Sequence, residues 1–392
     1  MQVVQATTKA QVREFALLPY ALYRHDPAWI PPLRSEQLRL FAPETNPLLR
    51  HCDYALFLLH DGGRAIGRVA AFVDHLAVDY WRKNIGFFGS YECVNDADAS
   101  RLLLDTARDW LRARGMDIMR GPISFASQEW GFVVHGYEHP PTIMAPYNPP
   151  YYNAHAEAYG LRKAKDLLVY EADVSKGYTI PERYLRLMDA VAERHGVTLR
   201  PLNMKRYRED AQIIMDLSNI SIADNWGYYP VTEAEAEQMA RDLKQIVHPE
   251  AVLIAEAAGR PIGFAMTLPD VNVLLRGLNG RLFPFGFVKL LWGLPRLRQY
   301  RFFALGVHPD YHGLGIDSLL YARTWQALAH KNVRVEIDYV LEDNVPMNNA
   351  LKRLGVTHIK TYRVYETAVQ PSAISGQPSA EPGVGRSLTA EC

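Results

Sequence analysis

Residues 307–320, VHPDYHGLGIDSLL, join a β-rich run to an amphipathic run through a loop that contains Gly313 and Gly315. This order predicts a strand, a tight turn and the start of a helix. Free backbone N–H groups and the positive end of the helix dipole make a helix N-terminus suitable for phosphate groups. We therefore interpret residues 313–316 as a pyrophosphate-binding loop, with a plain glycine-containing turn as the alternative.

Asp317 stands where this loop enters the helix, and it complicates that interpretation. An aspartate in the first helical turn commonly caps the helix by accepting N–H hydrogen bonds itself. It would then compete with a phosphate for the same donors. The sequence thus predicts pyrophosphate binding that is weaker, or shifted in position, relative to a standard loop.

The strand predicted at VRVEIDYVLED, residues 333–343, carries acidic side chains where a central strand is expected to be apolar. Alternation puts on one face Val335, Ile337, Tyr339 and Leu341, and on the other Glu336, Asp338, Val340 and Glu342. Buried carboxylates are costly unless they are paired or face a cleft, so Glu342 and Asp338 are predicted catalytic bases. Glu342 also stands at the carboxyl end of the strand, where open α/β sheets bind ligands. The alternative, weightiest for Glu336, is an ion pair with Arg334 or Arg363.

Residues 272–301, NVLLRGLNGRLFPFGFVKLLWGLPRLRQYR, are rich in Leu, Phe and Trp and contain no acidic residue. Their basic residues are Arg276, Arg281, Lys289, Arg296, Arg298 and Arg301. Apolar bulk with only positive charge is typical of a segment that lies in an anionic membrane interface. The alternative is an insertion packed into the core against the other half of the chain, with its arginines at the rim. The segment is too short and too interrupted to span a bilayer.

Two loops rich in aromatic and amide side chains, residues 124–141 and 221–237, are candidates for substrate recognition, because loops commonly carry specificity. A third stretch, APYNPPYYNAHAEAYG, provides Tyr147 and Asn148, which are predicted to line a groove between two halves of the chain. Structural packing is the alternative for each of these residues. The histidines show no metal-site spacing, so no metal is predicted.

These residues must be positioned by elements that occur twice along the chain. ALFLLHDGGRAIGRVAAF, residues 55–72, is similar to VLIAEAAGRPIGFAMTL, residues 252–268, with the Gly-Arg pairs 196 residues apart. YYNAHAEAYGLRKAKDLLVYEAD is similar to MNNALKRLGVTHIKTYRVYET, with Gly160 and Gly355 195 residues apart. Two segments that share nearly one offset indicate a tandem duplication.

Each half then has the same order: a strand, one or two helices, a β-hairpin, a strand, a long helix, a strand, a short helix and a final strand. This pattern predicts an α/β protein with a mixed sheet and helices on its faces. We predict an N-terminal domain at residues 1–174, without a phosphate-binding loop, and a linking helix at 175–195. A C-terminal domain with the predicted pyrophosphate-binding loop and the apolar, basic segment 272–301 is predicted at 196–369, followed by a Pro-, Gly- and Ser-rich disordered tail at 370–392.

The composition is that of a globular protein and excludes several classes. Of 392 residues, 48% are apolar and 22% are charged, and 43 basic residues balance 43 acidic ones. This balance gives no argument for nucleic-acid binding. Three cysteines without metal spacing, and a beginning without an apolar signal core, predict a cytoplasmic location, with contact at the inner face of the membrane through residues 272–301.

The stretches LGVHPDYHGLGIDSLL and VRVEIDYVLEDNVPMNNALKRLGV resemble the GNAT superfamily of N-acyltransferases. GNAT proteins have a loop of the form Q/R-x-x-G-x-G/A, and here only Gly315 matches, since His312 and Asp317 occupy the outer positions. GNAT proteins also have an asparagine followed later by a Leu-Gly pair, and here Asn344 and Leu354-Gly355 match this pattern. The phrases DPAWIPPLR, YNPPYY, NWGYYP, NGRLFPFG and LEDN are more specifically similar to a tandem-GNAT group of bacterial proteins of the ceramide synthase type, and they extend from residue 26 to 344.

The resemblance implies two tandem GNAT folds and an N-acyltransferase that takes acyl-CoA as co-substrate and a long-chain, sphingoid-type amine as acceptor. The cofactor-binding residues it implies are Leu305, Val307, His312, Gly313, Gly315, Ile316 and Asn344. The acceptor loop it implies carries Asn225, Trp226, Tyr228 and Tyr229. Where many GNAT enzymes have a tyrosine acid this chain has Leu351, which leaves the acid unassigned, with Tyr339 and Tyr362 as candidates. An alternative is a degenerate tandem-GNAT binding protein without activity. It is favoured by Asp317, by Leu351 and by the absence of a predicted phosphate-binding loop in the first half.

Overall fold

A computed structural model describes residues 1–125 and 129–370 of the chain. The tail predicted to be disordered lies, from residue 371 onward, outside the described residues. The described chain folds into helices on both sides of one large mixed sheet, which confirms the predicted fold class.

The elements of the first half follow the predicted order, apart from a third helix before the hairpin, a short helix after it and an extra strand before the last helix. Its strands are β1 (Gln2–Gln5), β2 (Cys52–Asp61), β3 (Arg64–Asp74), β4 (Ile85–Cys93), β5 (Ile118–Gly121), β6 (Phe132–His135) and β7 (Arg162–Asp173). Its helices are α1 (Lys9–Leu17), α2 (Pro19–Leu22), α3 (Arg34–Leu40), α4 (His75–Trp81), α5 (Ala97–Arg112) and α6 (Tyr151–Tyr159). Helix α7 (Glu182–Arg194) lies within the segment predicted as a linking helix.

The second half repeats this order with longer helices before its hairpin. Its strands are β8 (Val197–Pro201), β9 (Val252–Ala257), β10 (Arg260–Pro269), β11 (Gln299–Val307), β12 (Arg334–Leu341) and β13 (Thr357–Ala368). Its helices are α8 (Tyr207–Ser221), α9 (Glu233–Leu243), α10 (Asn272–Leu275), α11 (Gly286–Gly293), α12 (Ile316–Ala329) and α13 (Val345–Arg353).

The two repeated hairpins turn in the same way. Gly62 and Gly63 join β2 to β3 with φ angles of 55° and 80°, and Ala258 and Gly259 join β9 to β10 with 49° and 74°. Positive φ at both central residues gives the turn whose twist suits antiparallel strands. The Gly-Arg pairs that revealed the repeat therefore mark one local geometry used twice.

The sheet order is β1-β2-β3-β4-β5-β13-β7-β12-β11-β10-β9-β8, with β6 beside β13. Strand β7, from the first half, pairs with β12 and β13, and β13, from the second half, pairs with β5. The last long strand of each half, β7 or β13, thus lies beside strands of the other half. The predicted domain boundaries describe the repeat in the sequence, and the division into two domains stays a prediction.

Strands β11 and β12 run parallel but pair only over residues 299–302 and 334–337. Beyond that point β11 continues to Val307 and β12 to Leu341, so the two strands are not paired over their carboxyl-terminal parts. Unpaired central strands leave backbone groups free to meet a ligand. This gap is the feature of the fold that positions the candidate site.

Residues 272–301 form α10, a loop, α11 and the start of β11. One side packs into an apolar cluster in which Leu275 meets Ile30 and Leu33 of the first half. The other side exposes large apolar side chains, with Phe283 77%, Phe285 79% and Trp292 71% exposed. The core-insertion alternative is thus correct for the side that packs against the first half, and wrong in requiring Phe283 and Trp292 to be buried.

Arg301 does not belong with the basic residues of that segment. It lies in β11 and is 1% exposed, which corrects its assignment to a membrane-facing set. The remaining basic residues of the segment are exposed. Within residues 1–125 and 129–370, no helix is long and apolar enough to cross a bilayer.

Candidate active site

A cavity of about 530 Å³ lies against the sheet where β11 and β12 separate. The second half provides the α8 and α9 walls and the floor strands β10, β11 and β12, and the first half provides side chains from β3, β4 and α4. Most of the lining is apolar, as in sites that hold small molecules. The cavity is thus shared by both halves of the chain.

A buried ion pair lines the cavity at the gap between the strands. Arg301 on β11 donates from Nε to Oδ1 of Asp338 on β12 at 3.0 Å, and from Nη1 to the carbonyl oxygen of Ile143 at 2.6 Å. Oδ2 of Asp338 is buried and has no hydrogen-bond partner within residues 1–125 and 129–370. Burial raises the pKa of Asp338 to about 6, because desolvation of the carboxylate outweighs the attraction of Arg301. A base with a pKa near the working pH suits proton transfer.

Two tyrosine hydroxyls accompany this pair. The rings of Tyr339 and Tyr362 lie 5.2 Å apart, and the guanidinium of Arg301 lies 5.0 Å from the ring centre of Tyr339. Neither hydroxyl has a hydrogen-bond partner among the described residues. Burial raises the pKa of both phenols well above the usual value, so both keep their protons at neutral pH. Each is therefore an available O–H donor.

The faces predicted for β12 are wrong after Asp338. The register between β12 and β7 shifts between Ile337 and Val340, as at a β-bulge. Val340 consequently packs in the same apolar cluster as Val335 and Ile337, whereas Tyr339 packs in the cluster of Tyr362. The shift brings Tyr339 to the side of Asp338, where regular alternation would have separated them.

The other acidic residues of this strand are occupied by ion pairs. Arg334 contacts Glu336 at 2.9 Å, and Lys360 lies 3.6 Å from Glu336, as the ion-pair alternative predicted. Glu342 accepts from Lys163 at 2.8 Å and from the amide of Asp166 at 3.1 Å, and it does not line the cavity. Its side chain is 32% exposed. This placement argues against Glu342 and for Asp338 as the base.

The predicted cofactor residues divide into two groups. Leu305 and Asn344 line the cavity, and Asn344 also caps α13 through the amide of Met347. His312 lies with its Nε2 2.7 Å from the carbonyl oxygen of Val307. Gly313, Gly315 and Ile316 lie outside the lining, in the turn that starts α12.

The start of α12 has the geometry expected of an anion-binding loop. Gly313 and Gly315 have φ angles of 74° and 82°, which favour glycine. No side chain caps this helix, so the expectation that Asp317 caps it is wrong. Asp317 instead lies near Tyr184 of α7, whose phenol pKa is raised by burial first and also by the charge of Asp317. The first helical N–H groups remain available.

The four predicted acceptor-loop residues all line the cavity, namely Asn225, Trp226, Tyr228 and Tyr229. Side chains of the first half hold this loop: Nε1 of Trp81 donates to the carbonyl oxygen of Tyr228 at 2.6 Å, and the guanidinium of Arg120 lies 4.9 Å from the ring centre of Trp226. The loop therefore connects the two halves over the cavity.

Tyr147 and Asn148 do not line the cavity. Tyr147 donates to Asp26, and Asn148 accepts from the amide of Val133 at 2.7 Å while it donates to carbonyl oxygens. These bonds fix turns in the first half. Their placement favours the structural alternative over the predicted groove.

A polar cluster at the edge of the cavity went unnoticed in the sequence. His51 lies 3.1 Å from Asp74 and 3.4 Å from Glu235, and Tyr229 donates to Asp74 at 2.7 Å. Burial lowers the pKa of His51, but hydrogen bonds to Asp74, Cys52 and Glu235 raise it more, to about 12. Although His51, Cys52 and Asp74 lie close enough to hold a metal, the charged imidazole already occupies the space between the carboxylates.

Glu129 was also missed in the sequence, and Arg301 was assigned there to the wrong group of residues. Burial raises the pKa of Glu129, whose carboxyl is hydrogen-bonded by Ser124 and attracted by Arg301. The first half thus brings an acidic group toward the charged pair of the second half. An arginine inside the apolar run YRFFALGV was the available signal, because a charge in a central strand needs a buried partner.

At the corresponding place in the first half, the end of β4 is filled by side chains. The amide of Cys93 donates to the hydroxyl of Tyr152 at 2.8 Å, and Tyr152 donates to Glu92 at 3.0 Å. Glu92 also pairs with Arg68 at 3.4 Å and accepts from Tyr23. The buried pair and the tyrosines occupy the space that stays open in the second half.

No protein-family model matches the chain. A curated bacterial ceramide synthase from Caulobacter vibrioides (strain NA1000 / CB15N) is 35% identical over 380 residues, which are 94% of this chain and 98% of that protein. The chain belongs to the bacterial ceramide synthase family. Protein YghO from Escherichia coli (strain K12) is 34% identical over 372 residues, 92% of this chain and 94% of that protein.

A solved tandem GNAT protein from the clavulanic acid biosynthesis pathway has the same fold, with a TM-score of 0.55 and 15% identity. That match covers 95% of this chain and 99% of the other. This member of the bacterial ceramide synthase family is therefore a tandem GNAT protein and an N-acyltransferase, as predicted. The family relation disfavours the alternative of a degenerate protein without activity.

Proposed function

We propose that the protein transfers a fatty acyl group from acyl-CoA to a long-chain, sphingoid-type amine. The observation that carries this proposal is the apolar cavity with its buried Arg301–Asp338 pair at the gap between β11 and β12. A small polar acceptor would not need so much apolar wall. The Caulobacter relative is a ceramide synthase, which supports a ceramide-type product.

The proposed chemistry needs no covalent enzyme intermediate. The neutral form of the acceptor amine attacks the thioester carbonyl carbon, and as the C–N bond forms Asp338 takes the proton that the nitrogen loses, through Oδ2, which has no hydrogen-bond partner among the described residues. The C–S bond then breaks. Backbone N–H groups at Leu305 to Val307 would stabilise the carbonyl oxygen as its negative charge develops. Tyr339 or Tyr362 gives its proton to the leaving thiolate, so CoA leaves as a thiol, and the proton held by Asp338 then restores the phenol.

The donor belongs in the second half. The uncapped start of α12 and the positive φ angles of Gly313 and Gly315 fit a pyrophosphate group. In the first half, the end of β4 is filled by Tyr152 and by the Arg68–Glu92 pair. A donor there would have to displace a fully packed core.

The exposed face of residues 272–301 would bring the enzyme to its acceptor. Phe283, Phe285 and Trp292 are positioned to enter the acyl boundary of a bilayer, and the exposed basic residues to meet anionic head groups. Val271, the residue immediately before the segment, packs with Leu243 and Phe303 of the cavity wall. The segment therefore adjoins the cavity.

The test is acyl transfer by the purified full chain in anionic vesicles that contain a sphingoid amine. Palmitoyl-CoA is added, and both the released CoA thiol and the N-acyl product are measured, the product by mass spectrometry. We expect stoichiometric thiol and amide. Thiol release without amide would show hydrolysis only, and transfer to soluble amines alone would contradict the long-chain acceptor.

A further inference from the structure

The cavity continues to both sides of the charged pair along the sheet. On one side of β12 the sheet order runs β7, β13, β5, β4, β3, and on the other side of β11 it runs β10, β9, β8. Cavity-lining residues come from both directions. The gap with Arg301 and Asp338 therefore lies between two walls, each built by a different half.

The wall on the first side, which we name the first arm, consists of Leu48, Phe72, Phe87 and Ile123. All four are buried members of one apolar cluster of the first half. From β12 to β4 there are four strand spacings, or about 19 Å along the sheet.

The wall on the other side, which we name the second arm, consists of Leu202, Tyr207, Ala211 and Val252. These residues belong to a separate apolar cluster of the second half. The distance from β12 to β9 is three strand spacings, about 14 Å along the sheet. Tyr207 donates to the carbonyl oxygen of Ala240 at 2.6 Å, which ties α8 to α9 beside this arm.

We infer that the two arms hold the two hydrocarbon chains separately, one arm for the fatty acyl chain and the other for the chain of the amine. The reacting nitrogen and carbonyl carbon would then meet at Asp338, where both arms begin. The first half, whose own donor position is filled, would act as a specificity-determining wall. This inference rests on the proposed function and adds the residues that select each chain length.

The two arms can be altered independently. Ala211→Leu adds bulk to the second arm, and Ile123→Phe adds bulk to the first. Ala234→Leu is the control, because Ala234 lies on α9 outside the cavity lining. Each enzyme is assayed with a graded series of saturated acyl-CoA thioesters and a graded series of sphingoid amines, the other substrate being held constant.

We expect each arm variant to lower kcat/KM for the longest members of one series by at least about tenfold, since excluding even one methylene has effects of this size. The shortest members and the other series should be unaffected, and the two variants should act on different series. Ala234→Leu should match the wild type. The inference would be overturned if both arm variants changed the chain-length preference within the same substrate series, or if neither variant changed it in either series.

Phe87→Leu provides a second route if Ile123→Phe does not fold. It enlarges the first arm and should move the preference of the same series toward longer chains. An unchanged profile in this folded variant would also overturn the inference. A wild type that forms no amide at all would instead reject the proposed function, so the two failures are distinguishable.

Discussion

Replacement of Asp338 by asparagine tests the proposed base while preserving its shape. Loss of a general base lowers turnover by about 10²–10⁴-fold, which corresponds to roughly 3–5 kcal/mol in the barrier. Acyl-CoA affinity should change little, because Asp338 lies at the cavity rather than at the loop that starts α12. Initial rates of thiol release and calorimetric binding of acyl-CoA measure the two quantities.

The same carboxyl should set the pH dependence. Burial raises the pKa of Asp338 to about 6, so the base form is lost as the pH falls through this value. One unit above the pKa the carboxylate outnumbers the acid about tenfold, and one unit below it the ratio is reversed. The wild-type kcat should therefore rise from pH 5 to pH 7, and the Asp338→Asn variant should lack this rise.

A loss of activity must be separated from a loss of folding, since Asp338→Asn leaves Arg301 buried without its counter-charge. Such an unpaired charge costs about 3–5 kcal/mol of stability. The double variant Asp338→Asn with Arg301→Met removes both charges and should recover stability without recovering activity. Glu342→Gln is the matched control and should stay near wild type, because a partly exposed ion pair contributes at most about 1 kcal/mol. Near-wild-type turnover of Asp338→Asn, or rescue of turnover by the double variant, would refute Asp338 as the base.

Three further predictions concern the donor loop and the apolar face. Gly315→Asp should abolish acyl-CoA binding in calorimetry, because a side chain is strained at a φ of 82° and its carboxylate adds an anion to the loop. Asp317→Gly should bind acyl-CoA as well as the wild type or better. Unchanged affinity in a folded Gly315→Asp variant would place the donor elsewhere. Changing Arg281, Lys289, Arg296 and Arg298 together to Gln should weaken binding to anionic vesicles by several kcal/mol at low salt, at about 1 kcal/mol for each charge, and a wild type that does not float with vesicles would reject the interface. Phe285→Ser with Trp292→Ser should reduce flotation without lowering the melting temperature, since both side chains are exposed, whereas a large fall in stability would contradict that exposure.

The element order of both halves was largely predictable because the pattern occurs twice, so each copy supports the assignment of elements in the other. The hairpins with their Gly-Arg turns and the strand–helix step at Gly315 are set by local chemistry that the sequence shows directly. Asp338 was also detectable, since burying a carboxylate in a central strand is costly unless it is paired or faces a cleft. The exchange of β7 and β13 was not, because pairing between distant strands leaves no local signal.

Two parts of the site were misread for physical reasons. A β-bulge in β12 breaks the two-residue period, so strict alternation placed Tyr339 away from Asp338 and left Glu342 as the favoured base. The apolar residues of the first arm look like ordinary core residues in the sequence. Only the packing shows that Phe72 and Phe87 border a cavity rather than close it.

The exchanged strands also bear on the order in which the chain matures during synthesis. Strand β7 leaves the ribosome before either of its neighbours, β12 and β13, exists, and β5 waits for β13 near the end of the described chain. Pairing between segments so far apart in sequence is slow, and unpaired strand edges promote aggregation. The nascent first half must therefore stay incomplete until translation passes residue 368, which makes late truncations more harmful than their small size suggests.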